Sequence, residues 1–304
     1  MTTNIYTSIL DIPFAEERAL IINVNTLPST TLAILSARRY MDMPLLVVDC
    51  PLNGKTDIDN LRKLQLQYHF DLLELPLRQH GDTLDNIFCN LQCEWLYLID
   101  SDVEVLNADA LHLMRSMRNY NEISKDKIFG VGLRQVSGFG LPPQERFFHK
   151  ERMWIPFCCL HVPLVKRVIK DGDSFNICAK PNYSKIGGGI RKARNRFQKI
   201  GFTALARIID SVMNIFRLDY KERKIDTILY DTGALVYEKL RIKGLHYIDI
   251  SFYCHPAFVT HFCGITRNLM YKNEPVSTNI YAVEEVIKDR LKYIYQFEYN
   301  FFEK

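Results

Sequence analysis

The sequence lacks the features that would mark a membrane-spanning, secreted or zinc-finger protein. No apolar run in its 304 residues approaches the ~18 residues that a membrane-spanning helix needs. The start, Met1–Asp11, lacks the basic residues and long apolar core of a signal peptide. The eight cysteines never form Cys-x-x-Cys, and most lie in apolar stretches, which is typical of buried thiols in a reducing compartment. We therefore expect a cytoplasmic protein, at most lying on the inner face of a membrane.

The chain also lacks repeats, low-complexity tracts and a large net charge, but its charge is uneven. The formal charge is +4, whereas residues 185–224 alone carry +8. Within this segment, apolar residues from Phe197 to Ile215 recur three to five positions apart, which predicts a basic amphipathic helix. Three interpretations stay open: a solvated packing helix, a peripheral membrane contact through about 191–217, or a site for an acidic polymer. Nucleic acid binding is the weakest interpretation, because no known aromatic-interleaved binding motif accompanies the charge.

Apolar runs alternate with helical patterns along the first half of the chain. Runs that predict buried strands are separated by patterns that predict helices beginning near Pro28, Ile58 and Gly81; the runs are 19–25, 44–49, 71–75 and 95–99. This alternation predicts an α/β fold with a Rossmann-like, mostly parallel central sheet flanked by helices. A later run, 153–160, contains Pro156, which predicts an edge strand or a bulge.

Two carboxylates, Asp100 and Asp102, stand directly after the fourth predicted strand. In open α/β sheets, ligands bind at the carboxyl ends of the strands. Residues two apart on an extended chain face the same side, so both carboxylates can meet at one point, where a shared Mg²⁺ or Mn²⁺ would offset their repulsion. The alternative is an ordinary strand followed by a loop or helix cap that happens to contain aspartate.

Three motifs taken together resemble the family-2 glycosyltransferases of the GT-A fold. They are Asn23-Val24-Asn25, then Val47-Val48-Asp49 with the turn Asn53-Gly54-Lys55-Thr56-Asp57, and then Leu96-Tyr97-Leu98-Ile99-Asp100-Ser101-Asp102. The resemblance covers about the first 110 residues. It implies one GT-A domain over 1–304, with a nucleotide-sugar half at about 1–110 and an acceptor half at 111–304 that includes a basic helical insertion at about 185–224. It further implies that the donor is bound by Asn25, Asp49, Asp57, Asp100 and Asp102.

Two later motifs extend the resemblance. The segment Tyr230-Asp231-Thr232-Gly233-Ala234 resembles the position of the catalytic aspartate in inverting GT-A enzymes; alternatively, Asp231 is the N-cap of the following helix. The segment His261-Phe262-Cys263-Gly264 resembles the histidine that completes the metal site with Asp102 and Asp100, although a lone histidine is commonly an ordinary core or surface residue. Trp154 is a candidate for the acceptor-sugar site, and its alternative role is core packing.

The resemblance implies a metal-dependent enzyme of the hexosyltransferase type. It would use Mn²⁺ or Mg²⁺ and a nucleotide-sugar donor, with a UDP-sugar favoured, and would transfer the sugar with inversion to a glycan or lipid-linked acceptor in surface polysaccharide or glycoconjugate synthesis. One alternative is a non-catalytic GT-A-like protein that binds glycan or a partner. The other is a sugar-phosphate nucleotidyltransferase, which is disfavoured because the segment Asn25–Thr30 lacks the glycines of a phosphate loop.

Overall fold

The computed structural model of the chain describes residues 4–52, 54, 56–119, 127–135, 147–181, 194–205, 207–209, 227–251, 258–262, 280–298 and 302. The strands, in chain order, are β1 Ile5–Tyr6, β2 Ala15–Asn23, β3 Leu45–Asp49, β4 Asp71–Glu74, β5 Cys93–Asp100, β6 Val103–Val105, β7 Ile128–Gln135, β8 Phe147–His149, β9 Arg152–His161, β10 Cys178–Pro181, β11 Thr227–Tyr230, β12 His246–Asp249 and β13 Val259–His261. Eight of them form one sheet in the order β1-β4-β3-β2-β5-β9-β7-β12.

Helices cover both faces of this sheet. They are α1 Leu27–Tyr40, α2 Ile58–Tyr68, α3 His80–Asn90, α4 Asp109–Arg118, α5 Val162–Lys170, α6 Ala234–Ile242 and α7 Ile280–Tyr295, with a short 3-10 helix at Ile9–Asp11. Apolar side chains of α1, α2, α4 and α7 join one buried layer, and those of α3, α5 and α6 join the other. Strand β2 shows why the sheet needs both layers, because Ala19 and Ile21 enter the first layer and Leu20 the second.

The predicted fold class is confirmed, since a large, mostly parallel sheet lies between helices. Only β9 runs antiparallel to its two neighbours in the eight-stranded sheet, β5 and β7. Strand β9 is central, so an edge position for Pro156 is wrong. The predicted alternative, an irregular strand, holds instead: the register with β7 shifts between the pairs Gly132↔Cys158 and Arg134↔Met153, and Pro156 lies inside that shift.

The chain forms two compact units. The first comprises 1–135, 152–176 and 232–304, and includes the eight-stranded sheet. The second comprises 136–151 and 177–231, and its strands are β10, β11 and β8 in that order. In the second unit, the ammonium groups of Lys150 and Lys180 lie 6.0 and 5.1 Å from the ring centroid of Tyr230. The division into donor and acceptor halves near residue 110 stays a prediction.

The basic segment is not one continuous helix where the structure describes it. Residues 194–199 are helical, and the helix ends at Gly201, whose φ of +87° belongs to the left-handed region. The predicted helix from Phe197 to Ile215 is therefore interrupted at residues 200–202, where a left-handed glycine ends the first stretch, and residues 203–205 and 207–209 are helical again. Residues 185–193 and 210–226 lie outside the described residues, as does the predicted loop at 138–143.

The cysteines and the helix lengths bear on two predictions from the sequence. Cys50, Cys93, Cys158 and Cys159 are buried free thiols, and Cys89 and Cys178 are half-buried free thiols, as expected. Among the helices that the structure describes, none has the length and apolar character to cross a bilayer.

Candidate functional site

The carboxyl ends of three parallel strands meet at one edge of the sheet and carry polar residues. Strand β2 lies between β3 and β5, and its register places Asn23 beside Asp49 and Ile22 beside Asp100. Each of these strands has an apolar run and ends in a polar residue, Asn23, Asp49 or Asp100. The parallel register therefore gathers the ends of three sequence motifs into one neighbourhood.

Asp100, Asp102 and His261 form a cluster of potential metal ligands at this edge. Strand β13 pairs antiparallel with β6, which places His261 opposite Val103, and the Phe262 amide donates to the Asp102 carbonyl at 2.8 Å. The His261 Nε2 lies 3.2 Å from the Asp102 Oδ1, and one ligand atom from each residue lies within 4.8 Å of the other two. The structure thus brings together the three residues that the sequence assigned to a metal.

The electrostatics of the cluster favour a bound cation. Burial raises the pKa of Asp100 above its usual range, and the Asp102 carboxylate raises it further, while His80, His261 and Arg152 oppose the shift. Two carboxylates and an imidazole supply the oxygen and nitrogen ligands that suit Mn²⁺ or Mg²⁺. Asp100 and His261 are only half-buried, so the cluster is open on the side where further ligands would approach.

The side chain of Asn23 is the centre of a buried network beside this cluster. Asn23 is fully buried, and its Nδ2 donates to Asp49 Oδ1 at 2.6 Å and to Asp57 Oδ2 at 3.1 Å. Its Oδ1 accepts hydrogen bonds from Thr26 and Thr30. The sequence analysis quoted Asn23 in the first motif but gave it no role in the site; the available signal was a polar residue directly after an apolar run.

The predicted donor-binding residues Asn25, Asp49 and Asp57 surround the loop after β3. Asp49 is fully buried, and it accepts from Asn23 and, at 2.7 Å, from the Thr56 hydroxyl. Asn25 has a φ of 50°, and its Oδ1 accepts from the Leu52 amide at 2.6 Å. Burial raises the pKa of Asp57, the hydrogen bond from Asn23 lowers it, and Asp49 raises it. These contacts fix the shape of the loop, and the nucleotide contacts of the three residues stay predictions.

Trp154 lies next to the metal-ligand cluster. Its ring meets the His261 ring edge-on, with centroids 5.3 Å apart and an interplanar angle of 85°. The side chain is half-buried against one apolar layer of the core, so packing accounts for part of its surface. An acceptor role for the exposed part stays a prediction.

Arg152 is a second residue that the sequence analysis missed. Along β9, Arg152 and Trp154 are half-buried while Met153 and Ile155 between and beside them are buried, so the first two share a face. The Arg152 guanidinium donates to Gln135 Oε1 at 2.9 Å and to the Thr232 carbonyl at 3.2 Å. The positive charge of Arg152 lowers the pKa of Asp100 and so opposes the effect of burial. A cationic side chain therefore acts on the carboxylates of the site.

The proposed base, Asp231, directly follows β11 and belongs to the second compact unit. The N-cap of α6 is Gly233, with a φ of 78°, so the alternative that Asp231 caps this helix is wrong. The ligand cluster belongs to the first unit. The catalytic role of Asp231 stays a prediction.

Comparison with known proteins was made by sequence and by structure. No protein-family model and no curated protein sequence matches the chain. Glycosyltransferases are among its structural neighbours. GlyE of Streptococcus pneumoniae TIGR4 matches with a TM-score of 0.40 and 10% identity over 91% of this chain and 63% of its own. The mannosyltransferase PcManGT of Pyrobaculum calidifontis, solved with GDP-Man and Mn²⁺, matches with a TM-score of 0.37 and 11% identity over 55% and 50%.

TarS of S. aureus matches with a TM-score of 0.35 and 15% identity over 50% of this chain and 29% of its own. The chain thus spans less than a third of the full TarS structure. Cytidylyltransferases are also among the neighbours. The expected resemblance to GT-A glycosyltransferases agrees with these neighbours, at TM-scores of 0.35 to 0.40. Because these TM-scores are low, function is argued from the site alone.

Proposed function

We propose that the chain is a metal-dependent glycosyltransferase that moves a sugar from a nucleotide-sugar donor to a glycan or lipid-linked acceptor. The observation that supports this most is the convergence of Asp100, Asp102 and His261 at the carboxyl edge of a parallel sheet, directly beside the buried network around Asn23. A cation site next to a polar network at the carboxyl ends of parallel strands suits a ligand that carries both a diphosphate and a nucleoside.

The residues divide into those that would hold the cation and those that would hold the nucleoside. Asp102, Asp100 and His261 would bind Mn²⁺ or Mg²⁺, which when bound stabilises negative charge on a leaving diphosphate. Asp57 would accept a hydrogen bond from the base or the ribose, while Asn23 and Asp49 keep the loop around it in place. A base with an N–H donor, uracil or guanine, would suit this carboxylate, and of the two we favour a UDP-sugar, as the family resemblance implies.

The acceptor side of the proposal rests on two further residues. Asp231 would accept the proton of the attacking acceptor hydroxyl. If this single carboxylate acts on the sugar face opposite the leaving group, the anomeric configuration inverts, as it does when a general base activates the nucleophile in glycoside chemistry. The exposed part of Trp154 would pack against the apolar face of the acceptor sugar. Such a transfer belongs to surface polysaccharide or glycoconjugate synthesis.

A thermal-shift panel tests the donor and metal parts together. UDP, GDP, dTDP and CMP are each added with and without Mn²⁺. A ligand that binds only the folded chain, supplied at 100 times its Kd, stabilises it by about 2.7 kcal/mol, so one nucleotide is expected to raise the melting temperature in the presence of Mn²⁺ only. Asp102→Ala should lose this shift, whereas the matched control Asp59→Ala, at an exposed position on α2, should keep it.

The outcomes separate the proposal from its alternatives. A metal-dependent shift that survives in Asp102→Ala would contradict the metal assignment. Donor binding without release of the nucleoside diphosphate, in the presence of a range of glycan acceptors, would favour the non-catalytic binding protein. Pyrophosphate release from a nucleoside triphosphate and a sugar phosphate would instead identify a nucleotidyltransferase.

A further inference from the structure

The helical stretch at 194–199 ends in a hydrogen-bonded turn that holds two large apolar residues at the surface. The Gly201 amide donates to the Gln198 carbonyl at 3.3 Å, and the Phe202 amide donates to the Phe197 carbonyl at 2.9 Å. With Gly201 in the left-handed region, this is the Schellman pattern of helix termination. The backbone of the turn is therefore fixed by its own hydrogen bonds, and it presents Ile200 and Phe202 on either side of the glycine.

The turn and the residues after it expose an unusual amount of apolar surface. Ile200 is 59% exposed, Phe202 60%, Leu205 40% and Ile208 58%. Single exposed apolar residues are common on protein surfaces. Four large ones within nine positions are unusual and indicate a surface that binds a partner. We call residues 194–205 and 207–209 the basic tip.

Charge indicates which partner this surface fits. The basic tip contains Arg194, Arg196, Lys199 and Arg207, and the sequence from 194 to 209 contains no acidic residue. Exposed apolar side chains between cations are suited to the boundary of an anionic bilayer, where the apolar groups enter the acyl region and the cations meet the headgroups.

We propose that the basic tip docks the chain onto an anionic membrane surface. A second copy of the chain is a poorer partner, because two tips with the same +4 charge would repel each other. Nucleic acid is also a poorer partner, because it would engage the cations and leave the aliphatic side chains Ile200 and Ile208 exposed to water. The proposal goes beyond the proposed transferase activity and does not depend on it.

The test is co-sedimentation of the full chain with vesicles. Vesicles of phosphatidylglycerol mixed with phosphatidylcholine are expected to bind the chain, and pure phosphatidylcholine to bind it at least roughly tenfold more weakly, with added salt reducing the difference. A basic residue near an anionic surface strengthens binding roughly fivefold, so Arg196→Glu/Lys199→Glu should weaken binding by roughly 25-fold or more. Ile200→Ser/Phe202→Ser should weaken it by at least roughly tenfold.

Matched controls use exposed residues of the first unit. Leu66→Ser/Ile242→Ser removes two apolar side chains that are also exposed, and Arg62→Glu/Lys292→Glu reverses two exposed charges; both should bind vesicles as the unaltered chain does. Far-UV circular dichroism and melting curves show that each variant is folded.

Several results would overturn the proposal. One is an unaltered chain that stays in the supernatant with anionic vesicles, and another is a loss of binding in the controls equal to that of the tip variants. Sedimentation velocity that shows a dimer which Ile200→Ser/Phe202→Ser converts to monomer would assign the tip to self-association. Duplex DNA that binds through the same residues while vesicles do not would assign it to nucleic acid.

Discussion

The buried carboxylate of Glu104 connects the candidate metal site to the C-terminal helix. Glu104 lies on β6 and is 1% exposed. It accepts two hydrogen bonds from the Arg290 guanidinium, one of them at 2.9 Å, and one from the Tyr295 hydroxyl at 2.9 Å. Both donors lie on α7. Arg290→Met would remove the only positive partner that these contacts give Glu104 and leave a buried charge with one neutral donor.

The expected cost follows from this geometry. Removing one member of a buried ion pair destabilises a protein by about 3–5 kcal/mol, because the remaining charge is left uncompensated. The Arg290 side chain is 29% exposed, so water can partly replace it, and we expect a loss of about 2–3 kcal/mol. Urea unfolding followed by far-UV circular dichroism measures the loss. Lys288→Met, which breaks an exposed pair with Glu285, should change stability by less than about 1 kcal/mol.

Arg290→Met should also affect binding at the cluster of Asp100, Asp102 and His261. Strand β6 pairs with β13, which carries His261, so loosening β6 should weaken Mn²⁺-dependent nucleotide binding. Glu104→Gln/Arg290→Met should recover much of the lost stability, because a neutral amide needs no cation. An Arg290→Met midpoint equal to that of the unaltered chain, or a double variant no more stable than the single one, would refute the reasoning.

Three further predictions follow from single contacts. Gly81→Ala should destabilise the chain by about 1–3 kcal/mol, because a Cβ there would lie 2.5 Å from the backbone of Asn176; an unchanged urea midpoint would contradict this close approach. Burial lowers the pKa of His161 to about 4, below the roughly 6.5 of an unfolded chain. The contribution of His161 to the free energy of unfolding is therefore complete above about pH 6.5 and is lost as pH falls towards 4. Between these pH values, His161→Phe should lose less unfolding free energy than the unaltered chain does. Equal losses in denaturation experiments would argue against a buried neutral imidazole. His261→Ala should raise the apparent Kd for Mn²⁺ by at least about tenfold in a titration monitored by nucleotide binding, and an unaltered Kd would remove His261 from the site.

The strands that lead to the site were predictable because their signals are local. The runs that became β2, β3 and β5 are apolar and end in polar residues, and helix starts near Pro28 and Gly81 separate them. Boundaries differed by a few residues for identifiable reasons: the first strand was expected to reach Asn25, but Asn25 adopts a left-handed φ of 50° and the strand ends at Asn23. Asparagine tolerates that conformation better than most residues.

The helix predicted in the basic segment is interrupted at residues 200–202 for the opposite reason. Its apolar spacing fits a helix from Phe197 onwards, but periodicity takes no account of a glycine that the backbone uses as a left-handed terminator. At Gly201 the 6→1 hydrogen bond from Phe202 to Phe197 satisfies an end carbonyl of the helix, so termination there costs little. Ile200, Leu205 and Ile208, which the spacing placed on a packed face, are exposed.

The contacts between motifs could not be derived from local patterns, because each depends on pairing between distant parts of the chain; the grouping of His261 with Asp102 was implied by the family resemblance alone. Asn23 reaches Asp49 only through the parallel register of β2 and β3. His261 reaches Asp102 only because β13 pairs with β6, a strand that begins one residue after Asp102. Glu104 on that strand is hydrogen-bonded to Arg290 of the last helix. The position of Asp100 and Asp102, in the first third of the chain, therefore depends on α7. No sequence pattern near these two aspartates predicts that dependence.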